Sequence, residues 1–224
     1  MITLRNVSKY YRVRGGLHLV FAGVDLQVRK GEKVGVLGRN GSGKSTLIRL
    51  ISGSEFPTTG TIDRRMSVSW PLAMTSAFQG SLTGIDNIYF IARVYGVNAE
   101  AIIPYVESIS DLGYYLREPV KTYSSGMRAR LAFALSMAVE FDCFLIDEVI
   151  AVGDASFHER CAHELFERRR DRAMFIVSHD PHYIRHHCDR ACVLIQGRLR
   201  TFDDLDSALS IYTQEYTAAE GAVT

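Results

Sequence analysis

KVGVLGRNGSGKSTLIRLISG, residues 33–53, decides the fold. It opens as a short apolar run, the pattern of a strand buried on both faces. From Lys44 onward the apolar residues recur at helical spacing, and Gly53 marks where that helix should stop. Between strand and helix, Gly38-Arg39-Asn40-Gly41-Ser42-Gly43-Lys44-Ser45 fits G-x-x-x-x-G-K-[ST]. The glycines let consecutive backbone N–H groups converge on phosphate oxygens, and the N-terminus of the following helix adds its positive dipole. Lys44 supplies a point charge to the outer phosphates of a nucleotide, and Ser45 a hydroxyl ligand for Mg2+. Average residue usage would give the pattern by chance in roughly one such chain in a hundred; the flanking strand and helix make a plain glycine turn the poorer reading. Gly38 to Ser45, together with Thr46, are therefore the expected nucleotide-binding residues.

A phosphate loop needs partners that hold the metal and the attacking water. Cys143-Phe144-Leu145-Ile146-Asp147-Glu148 is an apolar strand ending in two acids, which places both carboxylates at the carboxyl edge of the sheet beside the loop. Asp147 would bind the metal directly or through water, and Glu148 would polarise the water as catalytic base. Val177-Ser178-His179-Asp180 ends another apolar strand, so His179 reaches the same edge, where a donor could hold the γ-phosphate and orient the water.

Around these motifs the sequence alternates strand and helix. Residues 2–11 and 17–28 read as two strands about the turn at Gly15 and Gly16, and TGTIDRR and MSVSW as two short ones. From about Pro71 to Gly84 the pattern is loop-like, and 85–140 is mostly helical. The β/α alternation then resumes with FDCFLID, a helix from Ser156, AMFIVS, a helix from Pro181 to His187 and ACVLIQG, followed by an amphipathic segment over about 204–217. Ser156 with Glu159 reads as a capping box. The sum is an α/β core interrupted by a helical lobe.

The composition narrows the function. With 26 basic and 25 acidic residues and a net charge of +1, no global field draws in nucleic acid. The apolar run Leu131 to Val139 is stopped by Glu140 and Asp142, too short to span a bilayer. An amino terminus without an apolar core and four cysteines suit a reduced, cytoplasmic chain. His182, His186 and Cys192 match no closed zinc spacing, and Glu167 to Arg172 reads as a solvated, dipole-complementing helix end.

Phosphate loop, strand-end Asp147-Glu148, strand-end His179, and Tyr123-Ser124-Ser125-Gly126-Met127 opening an Arg-bearing helix together resemble the ATP-binding-cassette (ABC) ATPases over nearly the whole chain. The resemblance implies a RecA-like P-loop NTPase core with an antiparallel β subdomain and an inserted helical subdomain. Within a single domain over 1–224, the core would take about 1–84 and 139–202, the helical subdomain about 85–138 and a C-terminal helix about 203–218. In that family a signature L-S-G-G-Q contacts the γ-phosphate of ATP held by the other subunit. Here three of its positions differ, with Tyr123 for Leu, Ser125 for the first Gly and Met127 for Gln, while Ser124 and Gly126 keep the hydroxyl and the close backbone approach. The resemblance further implies an adenine-stacking aromatic at Tyr11 or its neighbour Tyr10, a dimer-crossing loop around Asp154, and Gln79 as the glutamine that joins core to lobe and meets Mg2+.

The phrases SWPL (69–72), FQGSLTGIDN (78–87) and DEVIAVGDASF (147–157) look most like the capsular-polysaccharide exporter ATPases of the KpsT type. This implies an ATPase that binds ATP and Mg2+, works as a homodimer, and lies peripherally on the cytoplasmic face of the inner membrane. It would drive an integral membrane permease and, through it, periplasmic and outer-membrane export components. The chain ends soon after its last core strand, without room for the carbohydrate-binding domain of many O-antigen exporters, so substrate choice would lie with other subunits. An O-antigen or teichoic-acid exporter, or a soluble ABC ATPase, is the alternative.

Overall fold

The computed structural model describes residues 1–72, 78–147, 154–202 and 204–220, with side chains as far as 215. The chain forms two compact units: Met1–Pro71, Asp142–Val149 and Asp171–Thr224 make the first, Leu72–Phe141 and Ile150–Arg170 the second.

The first unit contains two sheets. Strands β1 (Ile2–Val13) and β2 (Gly16–Val28) form an antiparallel hairpin, and β4 (Thr59–Arg64) pairs with the other edge of β1. The second sheet runs β5 (Val68–Pro71), β6 (Cys143–Asp147), β7 (Ala173–Ser178), β3 (Lys33–Leu37), β8 (Arg190–Ile195), β9 (Arg198–Thr201). All of its neighbours are parallel except β8 and β9. The apolar runs fit this arrangement, since a parallel strand covered on both faces has no polar side to show. Val34 and Val36, Cys143 and Leu145, Phe175 and Val177 share one core with the hairpin residues Ile2, Leu4, Phe21 and Leu26. Helix α1 (Lys44–Ser52) closes it with Leu47, Ile48, Leu50 and Ile51, all fully buried. On the opposite face, a Cβ at Gly35 would lie 2.7 Å from Ile184 of α6 (Pro181–His187), so that helix packs against β3. Helix α7 (Leu205–Glu220) buries Ala208, Leu209 and Tyr212.

The register fixes the functional edge. Leu37 pairs with Ser178, and Asp147 with Val177, so β6, β7 and β3 end side by side. Order and register together put the residues that follow these strands at one rim of the sheet. Strand β9 was not expected from the sequence: it is short, polar and largely exposed, and Gln196 and Gly197 turn the chain with φ of 47° and 73°. Two positive φ values at a tight hairpin are the turn that suits the twist of paired strands, and the dipeptide Gln-Gly was its only sequence signal.

The second unit holds helices α2 (Gly84–Tyr95), α3 (Ala99–Ser110), α4 (Ser125–Ala138) and α5 (Ala155–Ala162), and a π-turn over His163–Glu167. Thr83 and Asp86 make the capping box of α2: Asp86 N donates to Thr83 Oγ1 at 3.0 Å, and Thr83 N to Asp86 Oδ2 at 3.1 Å. Helix α4 is buried from Leu131 to Met137 on every side, which is why its sequence shows no polar stripe. Whereas the sequence placed α5 in the core, it clusters with the helical unit. The Phe157 ring meets Phe133 of α4 edge-on at 5.8 Å, which accounts for the difference. Asp154, not Ser156, caps α5: its Oδ1 accepts from Phe157 N at 3.0 Å and from the Ser156 hydroxyl at 2.7 Å. A carboxylate at an N-cap also answers the helix dipole, so the serine is taken inside the first turn.

The arginine run behaves differently from a solvated helix end. Arg169 is buried, and its guanidinium donates to Glu164 Oε2 at 3.0 Å, Glu164 O at 2.9 Å and Met137 O at 2.6 Å. Arg168 and Tyr105 also donate to the Glu164 carboxylate, at 2.9 and 2.5 Å. Burial works to raise the Glu164 pKa, but the hydrogen bonds from Tyr105, Arg168 and Arg169 outweigh it and hold the carboxyl below its ordinary value. The same burial, with the bond to Glu164, pushes the Tyr105 phenol up to about 12.

Candidate nucleotide-binding site

The loop from Gly38 to Gly43 links β3 to α1, as the spacing required. Gly43 is the N-cap of α1 with φ 106°, and an added Cβ would lie 2.6 Å from Val20 Cγ1 and 3.2 Å from Phe21 Cδ1. Backbone conformation and space thus both demand glycine there. Gly41 also has a positive φ, 80°. Left-handed residues set between right-handed ones turn successive N–H groups toward one centre, the concavity that receives an anion.

Lys44 is buried, and its ammonium donates to the carbonyls of Gly38 at 2.7 Å and Arg39 at 3.0 Å. The loop therefore wraps a cation. The Ser45 hydroxyl lies 3.4 Å from Asp147 Oδ1, so residues far apart in sequence bring a hydroxyl and a carboxylate oxygen together beside that cation. Hard oxygen donors of this kind suit Mg2+, which binds through one or two protein oxygens plus nucleotide phosphates. Thr46 is buried one residue further along and accepts a hydrogen bond from Arg49 Nη2 at 3.0 Å.

His179 follows β7 and, with Pro181, Tyr212 and Thr213, lines a cavity of about 380 Å³ that Arg39 and Asn40 of the phosphate loop also line. The structure thus brings His179, the loop and Asp147 to one rim. Glu148 lies outside the described residues.

Tyr11 is placed along α1. Its hydroxyl donates to Glu55 Oε2 at 2.9 Å and accepts from Arg49 Nη2 at 3.1 Å, and the Lys9 ammonium sits 5.1 Å from its ring centre. Arg49 therefore links the Tyr11 hydroxyl to Thr46 through two hydrogen bonds. Tyr10 is adjacent on β1, with its backbone N bonded to Thr58 Oγ1 at 3.1 Å.

Ser124, Ser125, Gly126 and Gln79 belong to the second unit. Ser124 caps α4 by accepting from Met127 N at 3.1 Å, and it stays exposed together with Ser125. The N-terminus of a 14-residue helix, about four turns long, is thus open, with its first N–H groups and dipole available to an anion. Tyr123, the first departure from the family signature, is buried, and its hydroxyl bonds the Tyr115 carbonyl. Its bulk is absorbed by the core, and the open residues after it are undisturbed. Gln79 is held through its backbone: its N donates to Asn87 Oδ1 at 3.0 Å, and its carbonyl accepts from Asn87 Nδ2 at 3.2 Å. Asp154 receives Arg130 of α4 at 2.7 Å.

Two features of this region were missed in the sequence. The Arg130–Asp154 pair and the Tyr212 hydroxyl, which donates to the His179 carbonyl at 3.0 Å, each join segments distant in the chain. Neither belongs to a local pattern.

Residues 21–151 match the family described as ABC transporter. The chain is 56% identical over 214 residues to the ATP-binding protein BexA of Haemophilus influenzae, covering 96% of this chain and 99% of that protein. It is 57% identical over 212 residues to the capsule polysaccharide export ATP-binding protein CtrD of Neisseria meningitidis serogroup B, covering 95% and 98%. Among solved structures, the dimeric post-hydrolysis state of the ATP-binding cassette MJ0796 bound to ADP and Pi superposes with a TM-score of 0.76 at 20% identity, covering 90% of this chain and 98% of that one. At that identity the likeness concerns the fold.

Proposed function

Since the chain belongs to the ABC transporter family, we propose that it is the ATP-binding and hydrolysing subunit of an exporter that moves capsular polysaccharide across the inner membrane. The observation that carries the ATPase reading is the convergence of Lys44, Ser45 and Asp147, with the Ser45 hydroxyl 3.4 Å from the Asp147 carboxylate. The capsular substrate follows from relatives at 56% and 57% identity that match over nearly their full length, one of them a capsule polysaccharide export protein.

In this reading the N–H groups of Gly41 to Thr46 bind the phosphates, and Lys44 turns from the loop carbonyls to the outer phosphate oxygens. Ser45 and Asp147 would hold Mg2+, for which the family resemblance implies Gln79 as a further ligand, and the bound ion would supply positive charge to the phosphates. Glu148 takes a proton from the attacking water, and His179 donates to the γ-phosphate and orients that water. Tyr11, or Tyr10 beside it, stacks on adenine.

Two copies would sandwich two ATP molecules at a two-fold interface, each nucleotide between the phosphate loop of one chain and Ser124, Ser125 and Gly126 of the other. The open, charge-seeking N-terminus of α4 is the feature that supports this. No helix of the described residues is long and apolar enough to cross a membrane; in this reading the export path would lie in a separate permease, the partner implied by the exporter relatives, on whose cytoplasmic face this subunit would sit. Its contact is best placed on α2, where Tyr89, Phe90, Val94 and Tyr95 are exposed. Closure of the dimer would then reach the permease through the Gln79 segment, which Asn87 ties to α2.

The test is Lys44→Ala. The purified variant should lose ATP binding and hydrolysis, and in a strain deleted for the gene it should leave radiolabelled capsule inside the cell, whereas the wild-type chain restores it to the surface. Surface capsule restored by the variant would refute the reading.

A further inference from the structure

His179 sits on a short connection between β7 and α6, and both of its neighbours are fixed by local bonds. Asp180 N donates to Ser178 Oγ at 3.0 Å, and Asp180 caps α6 by accepting from His182 N at 2.8 Å. The first carbonyl used by α6 is that of Asp180, which accepts from Ile184 N at 3.3 Å. The His179 carbonyl lies one residue ahead of the helix ladder. It accepts from Tyr212 Oη at 3.0 Å.

Tyr212 comes from α7 and is 6% exposed. With Ala208 and Leu209 it forms the buried stripe of that helix, and Asp206 at its start meets Arg185 of α6 at 2.6 Å. The Tyr212 ring lines the cavity that contains His179, Arg39 and Asn40, and also a second cavity of about 160 Å³ beside Gly38, Arg39 and Ser42. One side chain of α7 thus touches the His179 connection and borders both spaces against the phosphate loop.

We infer that Tyr212 is a positioning residue for ATP hydrolysis: its hydroxyl fixes the backbone of His179, and so the point from which the imidazole reaches the γ-phosphate. Rotation of that peptide would swing the imidazole, and displacements of about 1 Å at a reacting group cost up to about a hundredfold in rate. The phosphate loop is held by its own glycines and by Lys44, so nucleotide affinity should not depend on the Tyr212 hydroxyl. The inference rests on the role proposed above for His179.

Tyr212→Phe keeps the ring and removes only the donor. Full-length wild type, Tyr212→Phe, His179→Ala and the double variant are compared by single-turnover hydrolysis of radiolabelled ATP at saturation, by nucleotide affinity and by thermal midpoint. Tyr212→Phe should slow hydrolysis by about three- to tenfold, the worth of one hydrogen bond, with affinity within about twofold of wild type. The double variant should be no slower than His179→Ala, because a residue that acts through His179 has nothing left to position. Leu209→Ala controls for looseness of α7: if rate merely follows stability, it will lose more rate than Tyr212→Phe, and the inference falls. It falls too if Tyr212→Phe hydrolyses at the wild-type rate beside a slow His179→Ala, or if the two losses multiply. A His179→Ala enzyme at the wild-type rate would instead overturn the role of His179, and the inference with it.

Discussion

Gly43→Ala is the substitution whose cost the structure specifies most closely. Gly43 has φ 106° and ψ 8°, a conformation that residues with a Cβ rarely adopt, and a methyl group there would lie 2.6 Å from Val20 Cγ1 and 3.2 Å from Phe21 Cδ1. The backbone part of the penalty is about 1–2 kcal/mol. The steric part adds about 1–3 kcal/mol, because Phe21 is fully buried in the core and has little room to move. The internal control is Gly53→Ala at the other end of α1, where φ is 82° but the nearest atom to an added methyl, Arg64 Cζ, is 3.7 Å away. That change carries the backbone part alone. At about 2–4 °C per kcal/mol for a chain of this size, Gly53→Ala should lower the thermal midpoint by roughly 2–8 °C and Gly43→Ala by roughly 4–20 °C. Only Gly43→Ala should also weaken ATP binding, by more than about tenfold, since the N–H groups of the loop would no longer converge. Differential scanning calorimetry and fluorescent-nucleotide titration read the two effects. Equal melting shifts in the two variants, or an unaltered affinity in Gly43→Ala, would refute the steric argument.

Glu148→Gln should retain ATP binding, lose hydrolysis and accumulate as a nucleotide-bound dimer on size exclusion; unchanged turnover would remove Glu148 from the role of base. Arg169→Met should destabilise the second unit by about 3–5 kcal/mol in urea, because it removes the buried one of the two arginines that pair with the buried Glu164 carboxylate. Hydrogen bonds hold Glu164 below its ordinary pKa of 4.5, so the stability it contributes is present above that value and lost as pH falls through the lower, folded one. The gap between wild type and Arg169→Met should accordingly narrow as pH falls below 4.5 and through the lower, folded pKa; a gap that widens on acidification would contradict the assignment of charges.

The phosphate loop was legible because its requirements are local. A strand must end, glycines must adopt positive φ, and a lysine and a hydroxyl must stand at the start of a helix, so residue type at fixed spacing carries the whole message from Gly38 to Thr46. Asp147 and His179 were legible for a related reason, each standing at the end of an apolar run that had to be a buried strand. Local pattern failed where two local solutions competed. Ser156 and Glu159 met the rule for a capping box, yet Asp154 two residues earlier offered a carboxylate to the same helix end and prevailed. It failed again at Arg169, whose surroundings in sequence are those of a solvated helix terminus but whose partners are Glu164 and the Met137 carbonyl.

By itself, then, the sequence determined that a phosphate-loop pattern from Gly38 to Ser45 joins a buried strand to a helix, and that an α/β core carries a helical insert. Only the tertiary structure decided that β6, β7 and β3 lie side by side in register, that Ser45 meets Asp147, and that Tyr212 holds the His179 carbonyl. The division has a physical reason. Backbone conformation and burial period are set by neighbours in the chain, whereas strand order and long-range hydrogen bonds are set by which surfaces can be buried together, and no spacing along the sequence encodes that.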